Sequence, residues 1–241
     1  IEVYKIDTDL YGNPIDHNAR VSVGAAKTVS HEIRYFHTWQ VLSQMEDVRY
    51  VVLTDTRDVI FQKDPIDFMN RHIGESVMHY DLIAPSEGIA YKDEPWNAQN
   101  AFNGYGPYVW ETIMKESSVY NCGTIAGKFE YFKNIVLTMW AMTGGKQTYP
   151  ADQCSFGLLV NTIARNRTLH ASHDMGWACQ CGVMVDPTKI EKFRPLLLDK
   201  EPRMKSDGYV YTNDLSTKYA IVHQYERVPQ WLDIINERYS K

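Results

Sequence analysis

Asp55 and Asp58 flank Arg57 directly after the apolar run Tyr50-Val51-Val52-Leu53. A short β-branched run of this kind suits a strand buried on both faces of a parallel sheet. Ligand crevices in open α/β sheets lie at the carboxyl ends of such strands, which is where these three side chains emerge. Two neighbouring carboxylates repel each other unless a positive charge lies between them, and a hard divalent cation with oxygen ligands supplies one. The plainer alternative is a surface turn in which Asp55 caps the reversal and Asp58 pairs with Arg57.

A second group of ligand-type residues comprises Cys179 and Cys181 with His170, His173 and Asp174. The Cys-x-Cys spacing lacks the loop geometry of the Cys-x2-Cys zinc patterns. Reduced thiols in a cytoplasmic compartment are the simpler account of these cysteines and of Cys122 and Cys154. The Asn166-Arg167-Thr168 sequon keeps a Golgi or other secretory lumen open.

The elements that must position these groups follow from periodicity. Residues 2–6 read as a strand and 9–18 as a polar loop. Thr28 or Ser30 can cap a helix over 32–44, in which Ile33, Phe36, Trp39 and Leu42 recur at every third position. After the strand at 50–53 come a short helix near Phe68 and a strand over 81–85. Residues 86–108 are rich in Gly, Asn, Pro and aromatics and read as a long irregular loop, a feature that more often carries function than not. A strand from Val119 and a helix over 130–142, stopped by Gly144-Gly145, come next. A helix opened by Asp152 and running through Ile163, strands near Thr168 and over 219–223, and an amphipathic helix over 230–239 complete the chain. The alternation predicts one α/β domain with a mostly parallel or mixed sheet.

At 241 residues the chain suits one domain with a substantial core. A net charge of -5 without a basic patch argues against a nucleic-acid partner. No apolar run approaches the ~18 residues that a membrane span requires. The 16 Tyr and 6 Trp are amphipathic rings of the kind that line sugar pockets, and most of them also serve ordinary packing.

Three ordered segments resemble metal-dependent glycosyltransferases of the GT-A fold. They are Val51-Val52-Leu53-Thr54-Asp55-Thr56-Arg57-Asp58; Tyr120-Asn121-Cys122-Gly123-Thr124 followed by Ala151-Asp152-Gln153; and Ile221-Val222-His223 with Pro229-Gln230-Trp231 behind it. The motif here is an Asp-x-Arg-Asp variant of the superfamily's Asp-x-Asp. The resemblance implies an α/β, Rossmann-like, mixed and mostly parallel sheet flanked by helices. It implies a nucleotide-sugar donor, UDP-linked, and a glycan or glycoconjugate acceptor. Mn²⁺ or Mg²⁺ would be held by Asp55, Asp58 and His223, the imidazole favouring Mn²⁺. Arg34, Asp55, Arg57, Asn121 and Gly123 would contact the donor, and Asp152 and Gln153 would carry the chemistry at the transferred sugar with retention of its anomeric configuration. Glu87, Trp96 and Asn97 would meet the acceptor. Residues 1–7 look like the family's second strand, so its first, base-binding strand and helix would precede Ile1.

Rival classes differ at named positions. A sugar-phosphate nucleotidyltransferase opens with a glycine-rich basic loop, which this chain lacks. A haloacid-dehalogenase-like phosphatase needs a carboxylate two positions after its nucleophile, where Arg57 stands. A glycan-binding or scaffold domain that kept the fold without a working donor site is separated from an enzyme by Mn²⁺-stimulated release of UDP.

Overall fold

The computed structural model describes residues 20–23, 26–74, 80–144 and 151–239, and the strand expected over 2–6 lies outside them. The hairpin of β1 (Arg20–Val23) and β2 (Ala26–Val29) leads into α1 (Ser30–Leu42). Next come β3 (Tyr50–Thr54), β4 (Val59–Phe61) and α2 (Pro65–Ile73). The Asp64 carboxylate caps α2 by accepting from the Ile66 N–H at 2.9 Å, with Pro65 in the first turn where its missing N–H costs nothing. The middle of the chain forms β5 (Leu82–Ala90), α3 (Pro95–Val109), β6 (Ser118–Tyr120), β7 (Thr124–Lys128), α4 (Phe129–Thr143) and α5 (Asp152–Asn161). The remainder is β8 (Thr168–Ala171), β9 (Ala178–Gln180), α6 (Cys181–Met184), α7 (Ile190–Phe193), β10 (Arg203–Met204), β11 (Val210–Tyr211), β12 (Ile221–His223) and α8 (Pro229–Tyr239).

The expected α/β class is what the chain adopts: mixed sheets flanked by helices. The larger sheet has the order β3-β7-β5-β6, with β8 also paired to β5, and a second has the order β4-β12-β9. The expectation of a mostly parallel sheet is corrected. Among the described residues only β5 with β8 and β12 with β9 run parallel, and the other pairings are antiparallel. β7 accounts for most of this, since it runs antiparallel to both of its neighbours, β3 and β5, and β6, which continues into it through Asn121-Cys122-Gly123, is likewise antiparallel to β5.

Alternation along the central strands divides the core. Leu82, Ala84 and Ile125 pack with Tyr35, Phe132, Val136 and Phe156 beneath α1, α4 and α5. Their neighbours Ile83 and Ala126 face Phe68, Met69, Trp177 and Ile221 on the opposite side. Val222, one step from Ile221, packs instead with Ile60, Val210 and Ile235 under α8. β3 departs from expectation, because all five of its residues are only half-buried and its one described strand neighbour is β7.

The loop expected over 86–108 is ordered structure. β5 continues to Ala90, and Ser86 pairs with Tyr120 while Ala90 pairs with Ser118, so β5 carries extra residues opposite β6. This bulge is made at Gly88, whose φ of +72° suits glycine, and Ser86 Oγ accepts the Gly88 N–H at 2.9 Å. α3 begins with Pro95 in its first turn, and Glu94 caps it by accepting from the Asn97 N–H at 2.7 Å. A kink at Gly106 before Pro107 disturbs the helical period, which made the segment look irregular. The helix expected to run through Ile163 ends at Asn161.

His173 is fully buried beside the β5 bulge. Burial lowers its imidazole from the ordinary 6.5 to about 4, against the opposing pull of Asp174 and the Ser86 backbone. The unfolded chain takes up a proton there before the folded chain does. Stability from this group is therefore complete above pH 6.5 and is lost as pH falls toward 4, by up to about 3 kcal/mol. Urea unfolding of the wild type and of His173→Phe across that window measures it, and the substitution is expected to flatten the dependence. Parallel curves for the two proteins would refute the assignment.

Candidate functional site

The ends of three strands converge at one point. Asp55 follows β3, and its N–H extends the β3–β7 ladder by donating to the Gly123 carbonyl at 2.9 Å. Asp58 precedes Val59, which is the residue opposite His223 in the β4–β12 pairing. The Gln224 N–H donates to the Asp58 carbonyl at 2.7 Å and locks that junction. One ligand atom from each of Asp55, Asp58 and His223 thus lies within 4.8 Å of the other two. The sequence-predicted set is assembled, from positions 168 residues apart at their extremes in chain order only because β4 and β12 pair.

The His223 ring is almost completely buried, at 1% exposure. Its Nδ1 lies 2.7 Å from Gln180 Oε1, and Gln180 Nε2 donates to Thr124 Oγ1 at 2.8 Å. Gln180 is the register partner of His223 in the parallel β9–β12 pairing, so the two side chains are neighbours on one face. With the Gln180 carbonyl turned to Nδ1, the ring proton resides there and Nε2 carries a lone pair. Among the described residues that nitrogen has no hydrogen-bond partner, and it faces Asp55 Oδ2 at 3.3 Å and Asp58 Oδ2 at 3.6 Å. The two carboxylate oxygens lie within 4.8 Å of each other, where unit charges repel by about 3–4 kcal/mol at an effective dielectric near 20. A buried lone pair converging with two carboxylate oxygens fits a divalent cation, and the mixed nitrogen and oxygen donor set suits Mn²⁺.

Gly123 is required by the close approach at this point. A Cβ there would stand 2.6 Å from Asp55 Oδ2, 2.7 Å from His223 Cε1 and 3.0 Å from Asn121 Oδ1. The Asn121 side chain instead accepts the Gly123 N–H at 2.7 Å and holds the turn.

Arg34 of α1 joins two of the acids. It donates to Asp55 Oδ1 at 2.6 Å and to Asp152 Oδ2 at 3.0 Å, with the Tyr35 hydroxyl at 3.1 Å. Burial raises the Asp55 carboxyl pKa, and the Arg34 guanidinium bonded to its Oδ1 works against it, leaving the group below the usual carboxylate range. Arg34 thereby keeps Asp55 and Asp152 in fixed orientations beside each other. Asp152 is the first residue of α5 rather than its cap, and its Oδ1 accepts the Gln153 N–H at 2.9 Å.

Other expected residues divide. Glu87 accepts from Asn121 Nδ2 at 2.9 Å and from Gln153 Nε2 at 3.1 Å, which brings it, Asn97 and Gln153 into one buried network beside the cluster. Trp96 stands half in solvent on α3, next in sequence to Asn97. Arg57 is exposed and makes no ion pair among the described residues, so the alternative pairing with Asp58 is not formed. The zinc-like group does not assemble: Cys179 and Cys181 lie 3.6 Å apart at their sulfurs inside the core, while His170 bonds the Tyr120 hydroxyl at 2.7 Å.

Gln180 escaped the sequence reading, since no local pattern links it to His223. Were His223 to hold a cation, Gln180 would have the part that a carbonyl or carboxylate plays behind a metal-bound histidine, fixing tautomer and ring orientation. Gln180→Ala is expected to weaken Mn²⁺ binding by ~10–100-fold in a calorimetric titration. Unchanged affinity would deny Gln180 that part.

No protein-family profile matches the chain. No curated protein sequence matches it either. Among solved structures, the apo form of mouse xyloside xylosyltransferase 1 aligns over 84% of this chain and 66% of its own, at 11% identity and a TM-score of 0.44. The chain thus spans just under two thirds of that protein's length. A likeness at this level leaves function to be argued from the site.

Proposed function

We propose that residues 1–241 form a single GT-A-like glycosyltransferase domain that moves a sugar from a nucleoside diphosphate donor, UDP-linked, to a glycan hydroxyl. The observation that carries this reading is the buried Nε2 of His223, unpartnered among the described residues and facing the Asp55 and Asp58 carboxylates. Asp55, Asp58 and His223 would hold Mn²⁺, or Mg²⁺ with a poorer donor match, and the ion would neutralise the departing diphosphate as a Lewis acid. Three protein ligands leave coordination positions for phosphate oxygens.

Retention of the anomeric configuration is the companion proposal. An inverting transfer needs a carboxylate free to take the acceptor proton. Asp152 is not free in that sense, being 7% exposed with its two oxygens bonded to Arg34 and to the Gln153 N–H. It suits an electrostatic and orienting part at the sugar. The bond from the anomeric carbon to the diphosphate oxygen then breaks as the bond to the acceptor oxygen forms on the same face, and the acceptor proton passes to the departing phosphate.

Incubation with a panel of nucleotide sugars, followed by detection of released nucleoside diphosphate with and without Mn²⁺, tests the function. UDP release that requires the ion is expected, and the anomeric proton resonance of the product reports the stereochemistry. Binding of nucleotide sugars without any release would favour a glycan-binding domain on the same fold.

A further inference from the structure

Beside the metal cluster runs a chain of side-chain amides whose direction is set at both ends by buried carboxylates. Glu94 is 8% exposed and Glu87 is 5% exposed. An ionised carboxylate accepts hydrogen bonds and donates none; burial raises Glu87 above the ordinary 4.5, and the Asn121 and Gln153 amides that donate to its ionised form oppose that rise. Glu94 Oε2 accepts from the backbone N–H of Asn97 at 2.7 Å and from Asn97 Nδ2 at 2.8 Å. With its amide nitrogen turned to Glu94, Asn97 presents Oδ1 the other way, where Gln153 Nε2 donates at 2.9 Å. The same Gln153 nitrogen donates at 3.1 Å to Glu87 Oε1, which also receives Asn121 Nδ2 at 2.9 Å. Asn121 Oδ1 is then left to accept the Gly123 N–H at 2.7 Å.

The orientation of every amide follows from the two acids. Gln153 has two N–H hydrogens, and Glu87 and Asn97 engage both. The group that half-buried Gln153 can present to a ligand is therefore its carbonyl oxygen, an acceptor only. The β5 bulge places Glu87 between the paired residues Ser86 and Ala90, where a regular ladder would carry fewer residues.

We propose that Glu87 is a positioning residue that makes Gln153 an acceptor-only contact to the transferred sugar, so that the site selects donors presenting a hydroxyl to that carbonyl. The inference rests on the glycosyltransferase reading for its substrate and on the hydrogen-bond directions alone for its geometry. A site built to pair with a hydroxyl rejects analogues lacking it far more strongly than an apolar pocket can. Exchange of the Glu87 carboxylate for an amide, which both donates and accepts, removes the constraint on Gln153 without changing side-chain size.

Two measurements on the intact chain test this, and they fail separately. The first needs no substrate: the Gln153 side-chain NH2 resonances, assigned by their loss in Gln153→Leu, are expected to exchange slowly with solvent and at least ~10-fold faster in Glu87→Gln. The second compares the preferred nucleotide sugar with its singly deoxygenated analogues. The wild type is expected to reject one analogue by at least ~100-fold in kcat/KM, and Glu87→Gln to shrink that penalty by ~10-fold or more while UDP and Mn²⁺ still raise its Tm as in the wild type. If circular dichroism shows Glu87→Gln unfolded, Asn97→Ala, which removes the other acceptor, takes its place in both measurements. Unaltered amide exchange in the variant, or undiminished rejection of the analogue, overturns the positioning role. Absence of nucleotide release from the wild type overturns the glycosyltransferase reading and with it the substrate named here, whatever the amide exchange shows.

Discussion

Asp58→Asn is expected to lower metal-dependent sugar transfer by at least ~100-fold, or roughly 2.7 kcal/mol in activation free energy. Asp58 Oδ2 stands 3.6 Å from His223 Nε2, and Asp55 contributes the matching oxygen at 3.3 Å. An amide there keeps the shape but removes the negative charge from the ion's surroundings. Asp55 is also bonded to Arg34, so its replacement would disturb Asp152 as well, and Asp58 gives the cleaner reading. The loss should appear in kcat and in the Mn²⁺ concentration needed for half-maximal rate. Full activity in the variant, or in wild-type protein with excess EDTA, would sink the metal assignment.

Gly123→Ala is expected to do comparable damage without touching a charged group. The added methyl would stand 2.6 Å from Asp55 Oδ2 and 2.7 Å from His223 Cε1, distances that Cβ atoms do not sustain. Asp55 is tied to β3 and Arg34, and His223 is buried and held by Gln180, so neither retreats freely. Separation of these two proposed ligands should weaken Mn²⁺ binding by ~100-fold. Overpacking should also cost about 1–3 kcal/mol of stability, or roughly 2–10 °C in Tm. Calorimetric titration and thermal unfolding read the two effects separately. Wild-type Mn²⁺ affinity in a folded Gly123→Ala protein would contradict the crowded geometry.

The paired effects point to a site whose parts are coupled. Arg34 links Asp55 to Asp152, Gly123 links Asp55 to Asn121, and Glu87 links Asn121 to Gln153. Double substitutions within this set should therefore deviate from additivity, as residues sharing one hydrogen-bond network generally do.

By itself the sequence determined the local grammar of this protein. The apolar run before Asp55 is a strand, the third-position repeat from Ile33 is α1, and Asp152 opens α5, because side-chain periodicity and strand-end chemistry act over a few residues. The residue types for a metal cluster were legible for the same reason. Tertiary structure decided which strands pair and in which direction, since that depends on partners far away in the chain. The β4–β12 pairing sets His223 opposite Val59, and the β9–β12 pairing sets Gln180 beside it. Tertiary packing also turned the apparent loop after Ser86 into a bulged strand and a Pro95-started helix, overriding a composition rich in helix and strand breakers. The directions of the buried amides could arise only there. Glu87, Asn97, Asn121 and Gln153 share no local pattern, and their orientations follow from carboxylates enclosed where water cannot replace a missing hydrogen bond.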